Sequence, residues 1–189
     1  THVAYMTVMD GSKLYRVDLN TGDISYLEFS YRAIDVEINN GEMYVSLMYL
    51  EDVSPTPEGQ GMIAVIDRNS FTYKRAFSVC IDPHDMEAYN KGIIYLEPGT
   101  GHEFDVVSYD TSDGTLISTV SNEKDTYTWR YNNKYNKLYG MEIRETNSHY
   151  FNVKAFDVVD GVIGDSYYPL EVYGSATGPK MELSTDEEN

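Results

Sequence analysis

The chain has 189 residues, with 14 Lys and Arg against 31 Asp and Glu, a formal net charge of −17, 18 tyrosines and a single cysteine. That length suits one domain, 1–189. The charge disfavours nucleic-acid backbones and anionic membranes, because an acidic protein releases no counterions there. No apolar run approaches the roughly 18 residues of a membrane-crossing helix, and the lone Cys80 excludes a disulfide framework or a Cys-rich zinc site.

The chain opens on Val3-Ala4-Tyr5-Met6, a strand-like run, and then reaches Leu14-Tyr15-Arg16-Val17-Asp18, an apolar run closing on an aspartate with Gly22 four residues on. The signature returns from Val106 through Asp110 to Gly114, and from Val153 through Asp157 to Gly161. Ile63 through Asp67 is a fourth copy, which departs by placing Phe71 where the others have glycine. The four aspartates are separated by 49, 43 and 47 residues, a period that marks an array of supersecondary units. A second marker agrees: Tyr5, Tyr44, Tyr95 and Tyr139 precede the aspartates in order. Gly41, Gly92 and Asn136 stand three residues before the last three of these tyrosines, and tolerate the positive φ of a tight hairpin turn.

Each repeat reads as four short strands, A to D. In the second they are 33–38, 42–49, 62–67 and 73–79; in the third 85–89, 92–97, 103–110 and 115–120; in the fourth 127–131, 137–144, 150–157 and 162–168. No segment sustains a 3.6-residue apolar period, so helix is expected to be nearly absent. The C strands carry Leu14, Ile63, Val106 and Val153 on one face and Val17, Ile66, Tyr109 and Phe156 on the other. A strand apolar on both faces lies between two layers. The pattern therefore predicts an all-β fold, a β-propeller of four-stranded antiparallel blades with four repeats. The chain begins in a B strand, and 180–183 reads as an A strand that would complete the first blade. A closed four-bladed ring and part of a larger propeller both satisfy that phase, and a first residue Thr1 suggests a processed or excised segment.

The segment Lys13-Leu14-Tyr15-Arg16-Val17-Asp18-Leu19-Asn20-Thr21-Gly22 resembles the C-to-D hairpin of YncE-like (YVTN) and quinoprotein-like propellers. Pro83-His84-Asp85-Met86-Glu87-Ala88 is similar to the opening of strand A in that superfamily and in NHL-type propellers. In some NHL-like lyases the histidine matching His84 binds metal at the channel mouth. The other A strands carry Ile34, Tyr127 and Pro179 at that place, so the resemblance transfers one ligand only.

Propeller topology sends D-to-A and B-to-C connections to one end and A-to-B and C-to-D turns to the other. The longest loops then share the first end, where sites are usually built. His84, His102 and His149 belong to it and form a candidate site for a divalent metal, with Asp82, Asp85 and Glu103 adjacent. Strand A lines the axis, and aligning its copies brings Glu37, Glu87, Arg130 and Glu182 to comparable positions, as a polar channel or as an ion network stiffening the centre. Trp129 with Tyr127 and Tyr131 is an aromatic cluster able to stack on a ring ligand, and Tyr131 and Tyr150 are expected near loops. No Gly-x-Ser-x-Gly elbow, phosphate loop, His-Glu-x-x-His or paired-Cys motif occurs.

These features predict a non-catalytic extracellular, cell-surface or periplasmic propeller that binds a small-molecule or protein ligand through its loop face. Its candidate contacts are Glu37, His84, Asp85, Glu87, Trp129, Arg130, Tyr131 and Glu182. The alternatives are a metal-dependent lactonase- or lyase-like enzyme working at His84, and a structural segment of a larger propeller or extracellular assembly.

Overall fold

The computed structural model of the chain describes residues 2–8, 11–48, 61–80, 83–89, 91–98, 105–121, 126–143 and 151–172. Among these, the regular structure is all strand: β1 (Val3–Thr7), β2 (Lys13–Asp18), β3 (Ile24–Glu28), β4 (Arg32–Asn39), β5 (Glu42–Met48), β6 (Gly61–Asp67), β7 (Thr72–Val79), β8 (Pro83–Tyr89), β9 (Ile93–Pro98), β10 (Asp105–Asp110), β11 (Leu116–Ser121), β12 (Thr126–Asn132), β13 (Lys137–Ile143), β14 (Phe151–Val159) and β15 (Val162–Val172). The expected strands are found with ends within a residue or two, except that β15 runs on to Val172. The segment expected as a closing strand at 180–183 lies outside the described residues.

The strands form four antiparallel sheets in simple meander order, β1-β2-β3, β4 to β7, β8 to β11 and β12 to β15; the first has three strands among the described residues and the others four. This is the β-propeller architecture, and among the described residues the sheets are not closed into a ring. The inner strands β4, β8 and β12 lie side by side, so three A strands run along a common centre.

The recurring aspartate is explained by local chemistry. Asp18 Oδ1 accepts the backbone N–H groups of Asn20 (2.8 Å) and Thr21 (3.2 Å), Asp67 Oδ1 those of Asn69 (3.0 Å) and Ser70 (2.8 Å), and Asp110 Oδ1 that of Ser112 (2.7 Å). Each closes a C-to-D turn that would otherwise leave donors unmatched. Those bonds hold the Asp18 and Asp67 carboxyls below the ordinary aspartate range. The A-to-B turns use Gly41 (φ 81°), Gly92 (φ 78°) and Asn136 (φ 50°), as the residue types require. Phe71 adopts the same left-handed conformation (φ 54°) in place of the glycine.

Between sheets the side chains sort by parity. In each C strand the residues at the places of Ile63 and Val65 point forward, to the next sheet, and those at the places of Ala64 and Ile66 point to the rear. Tyr44, Ile63, Val65 and Phe77 of the second sheet thus meet Met86, Ile94, Val107 and Tyr109 of the third in one buried cluster. Tyr95 and Val106 of the third meet Trp129, Leu138 and Phe156 of the fourth in another. Leu14 of the first sheet packs with Met43, Ala64, Ile66 and Phe71 of the second in a third. At ~25 cal/mol per Å² of apolar surface removed from water, these contacts between sheets are what make each blade stable.

Candidate functional site

The three A strands pair with their B strands in equivalent register: Glu37 opposite Tyr44, Glu87 opposite Tyr95 and Arg130 opposite Tyr139. The axial alignment read from the repeat is therefore the one the structure uses for these three; Glu182 lies outside the described residues. Arg130 Nη1 stands 3.7 Å from Glu87 Oε2 and donates to the Trp129 carbonyl at 2.6 Å.

Two residues before each glutamate sits an aspartate that bridges to the next sheet. The backbone N–H of Met86 donates to Asp35 Oδ2 (3.2 Å), and that of Trp129 donates to Asp85 Oδ2 (3.3 Å). Asp35 Oδ1 also accepts the Val36 N–H at 2.8 Å, while the Asp35 N–H donates to Ser46 Oγ at 3.0 Å. The same carboxylate-to-amide latch joins sheets two and three and sheets three and four. It occupies the end where D-to-A and B-to-C connections start.

This crowding of carboxyls alters their acidity. Burial first, then the charges of Glu87 and Asp35, push Glu37 up to about 8, against which Arg130 works. Burial raises Glu87 to about 7, opposed by the Tyr131 backbone and Arg130. Burial and then the Asp85 charge raise Asp35 to about 6. Four carboxyls and one guanidinium share the centre, and withdrawal from water among like charges is what raises Glu37, Glu87 and Asp35.

His84 begins strand β8 at the latch end and is exposed; its charge acts to lower the Asp35 value. His102 and His149 lie outside the described residues, so the three-histidine metal centre has one described member. Among the described residues no three His, Cys, Asp or Glu side chains converge where a metal ion would sit.

Trp129 is enclosed: its ring packs on Phe156 (centroids 5.8 Å apart) and its Nε1–H donates to buried Glu97 Oε2 at 2.7 Å. Tyr131 lies near a connection, the A-to-B turn. Its ring stacks on Tyr95 (5.4 Å) and touches Tyr89 (4.2 Å), and its hydroxyl donates to Asn136 Oδ1 (3.0 Å) in the A-to-B turn, at the opposite end of the sheet. The period-2 run places it there because Tyr131 follows Arg130 toward the turn. Tyr150 lies outside the described residues, as does the side chain of Tyr127.

A second polar group was not legible as a site. Glu142 is buried, paired with Lys154 Nζ (3.4 Å) and accepting the Tyr168 hydroxyl (3.0 Å). Asn152, opposite Glu142 across β13 and β14, is buried with its Oδ1 unmatched by any donor. These residues, with Glu97, line the third-to-fourth sheet contact at the same end as the aspartate latches. Counting back three from each recurring aspartate gives the signal that could have found them: Tyr15, Ala64 and Val107 stand where the fourth repeat has Lys154.

Stacked antiparallel blades about a shared line of A strands define a propeller-class protein. No family model and no curated protein matches the chain. Among solved structures it is similar to hydrazine synthase of Kuenenia stuttgartiensis (TM-score 0.67, 11% identity, covering 88% of this chain and 46% of that one). It also resembles a functionally unknown protein of Desulfotomaculum acetoxidans (TM-score 0.66, 14% identity, 88% and 51%) and dihydro-heme d1 dehydrogenase NirN (TM-score 0.58, 10% identity, 89% and 35%). At such identities the likeness is one of fold, and the chain spans about half the length of the first two.

Proposed function

We propose that the chain is a non-catalytic propeller module that binds a ligand or partner protein through the end at which its B-to-C and D-to-A connections begin. One observation carries this reading. Asp35, Asp85, buried Glu97, Glu142 and Lys154 and exposed His84 collect at that end, where the long connections begin, whereas the charged groups of the turn end, such as Glu42 with Lys74 and Arg75 and Lys137 with Asp157, brace tight turns built on Gly41, Phe71, Gly92 and Asn136. Recognition chemistry concentrated on one end of a rigid scaffold is the usual plan of a binding module. The C-to-D hairpin and the Pro-His-Asp opening of β8 support a YncE-like kinship, and with it an extracellular, cell-surface or periplasmic setting. Cell fractionation checks that setting.

The test is a thermal-shift screen against a panel of small molecules and candidate proteins, repeated on His84→Ala and on the turn-end variant Lys91→Ala. A binder lost with His84→Ala and kept with Lys91→Ala supports the reading. Turnover of the ligand, or loss confined to Lys91→Ala, overturns it. A second reading, a segment of a larger propeller, is favoured by the chain's spanning 46% and 51% of two structures it resembles.

A further inference from the structure

Among the described residues the first sheet is covered on its forward face only. By the parity that governs the other sheets, Leu14 and Arg16 point forward to the second sheet, and Tyr15 and Val17 point to the rear, at the places held by Ala64 and Ile66 in the second sheet and Val107 and Tyr109 in the third. The register carries this face across the sheet: Met6, Tyr15 and Tyr26 form one row, and Ala4, Val17 and Ile24 the next. In the second and third sheets the place of Met6 is held by buried Val45 and Leu96, and the places of Tyr15 and Val17 by buried Ala64, Ile66, Val107 and Tyr109, while the outer D-strand place of Ile24 is exposed there as well, at Tyr73 and Leu116. Here Met6 is 46% exposed and Tyr15 and Val17 are half-buried. A contiguous apolar sheet face of this kind is an interaction surface.

At the other end of the array, the fourth sheet has the converse surface. Its forward row runs through Arg130, Tyr139, Ala155 and Tyr167, the last 38% exposed, with Met141 and Val153 in the row beside it. Every contact inside the molecule sets a forward face on a rear face, and these two are the members of that series left over among the described residues.

We propose that the rear face of the first sheet docks on the forward face of the fourth sheet of a second copy of this chain, and that the reciprocal contact closes a two-fold ring of eight sheets from two copies of four. Three observations select a second copy. The contact continues, residue place by residue place, the packing already used between sheets. It also avoids like charges in a chain of −17: among the described residues the rear face holds only Lys13 and Glu28, which pair with each other at 3.9 Å, and the forward face holds Arg130 with the Lys137–Asp157 pair. Finally, this chain covers 46% and 51% of two structures with this fold, so two copies together reach the length that each of those has in one chain. This pairing stands independently of what the loop end binds.

Sedimentation equilibrium of the 189-residue chain tests it. The expected species has twice the 21.5 kDa of one chain. Met6→Lys, and separately Tyr167→Lys, should each weaken association at least about tenfold, while circular dichroism and melting of the single copy stay unchanged because both positions are exposed. A chain that stays monomeric, a dimer that either variant leaves intact, or growth into open-ended fibres overturns the proposal. Should a variant fail to fold, hydrogen exchange of the wild type decides: protection across 13–28 should rise with protein concentration, and protection independent of concentration overturns it.

Discussion

Glu37 shows how one side chain registers the whole centre. Its carboxyl is pushed from an ordinary 4.5 to about 8 by burial and by Glu87, so the folded state prefers it protonated. The stability associated with that proton is fully present below pH ~4.5 and is lost as pH rises through about 8. Glu37→Gln cannot ionise, and its advantage over wild type should be near zero at pH 5 and grow to about 2 kcal/mol at pH 8.5, a conservative reading of such a shift. Urea denaturation at the two pH values measures the difference. An advantage of equal size at both would mean that the carboxyl is solvated. The axial residues Glu37, Glu87 and Arg130 were legible because the repeat aligns them. Asp85 was singled out beside His84 but its latch was not, and Asp35 was missed, since the fourth copy has Thr128 at their place and a latch to a neighbouring sheet's backbone leaves no mark in composition.

At the scale of elements, the strands and turns were legible to within a residue or two because in three of the hairpins the aspartate at a fixed offset closes the turn; in the fourth Asp157 stays in β14, paired with Lys137, and Asp160 and Gly161 make the turn. Phe71, the departure, is where local and tertiary demands compete. A left-handed phenylalanine is strained by roughly 1 kcal/mol, yet its buried ring lies 6.0 Å from that of Tyr5 and fills the contact between the first two sheets. Phe71→Gly would relieve the strain and lose the packing, so a net destabilisation of about 2–3 kcal/mol is expected; a stabilised variant would show the strain to be the larger effect. The buried Glu142–Lys154 pair escaped notice for a related reason. Charged residues in a strand are ordinarily read as solvent-facing, and a strand covered on both sides has no such face. Lys154→Met should destabilise by about 3–5 kcal/mol by leaving Glu142 buried without its cation, and adding Glu142→Leu should restore most of it. Chemical denaturation of the single and double variants checks both halves of that statement.

For the whole molecule, the opposition is between apolar sheet faces that seek cover and a charge of −17 that resists close approach. Both proposed docking faces are nearly free of acids, so the repulsion between two copies comes from carboxylates elsewhere on their surfaces, at distances where salt screens it: the Debye length is about 30 Å at 0.01 M and ~8 Å at 0.15 M. The apolar contact itself is insensitive to that change. Self-association should therefore tighten as sodium chloride rises from about 0.01 to 0.15 M, with the dissociation constant falling roughly tenfold. The sign is diagnostic, because an interface held by ion pairs weakens over the same range. Sedimentation at the two salt concentrations reads it directly, and weakening with salt would place the contact on charged surface rather than on Met6, Tyr15 and Val17. The axial carboxyls respond differently. Gathered along the central line of A strands and largely withdrawn from water, they are screened little by mobile ions, so the pH dependence assigned to Glu37 should persist in 0.15 M salt within about 0.5 kcal/mol while the association changes.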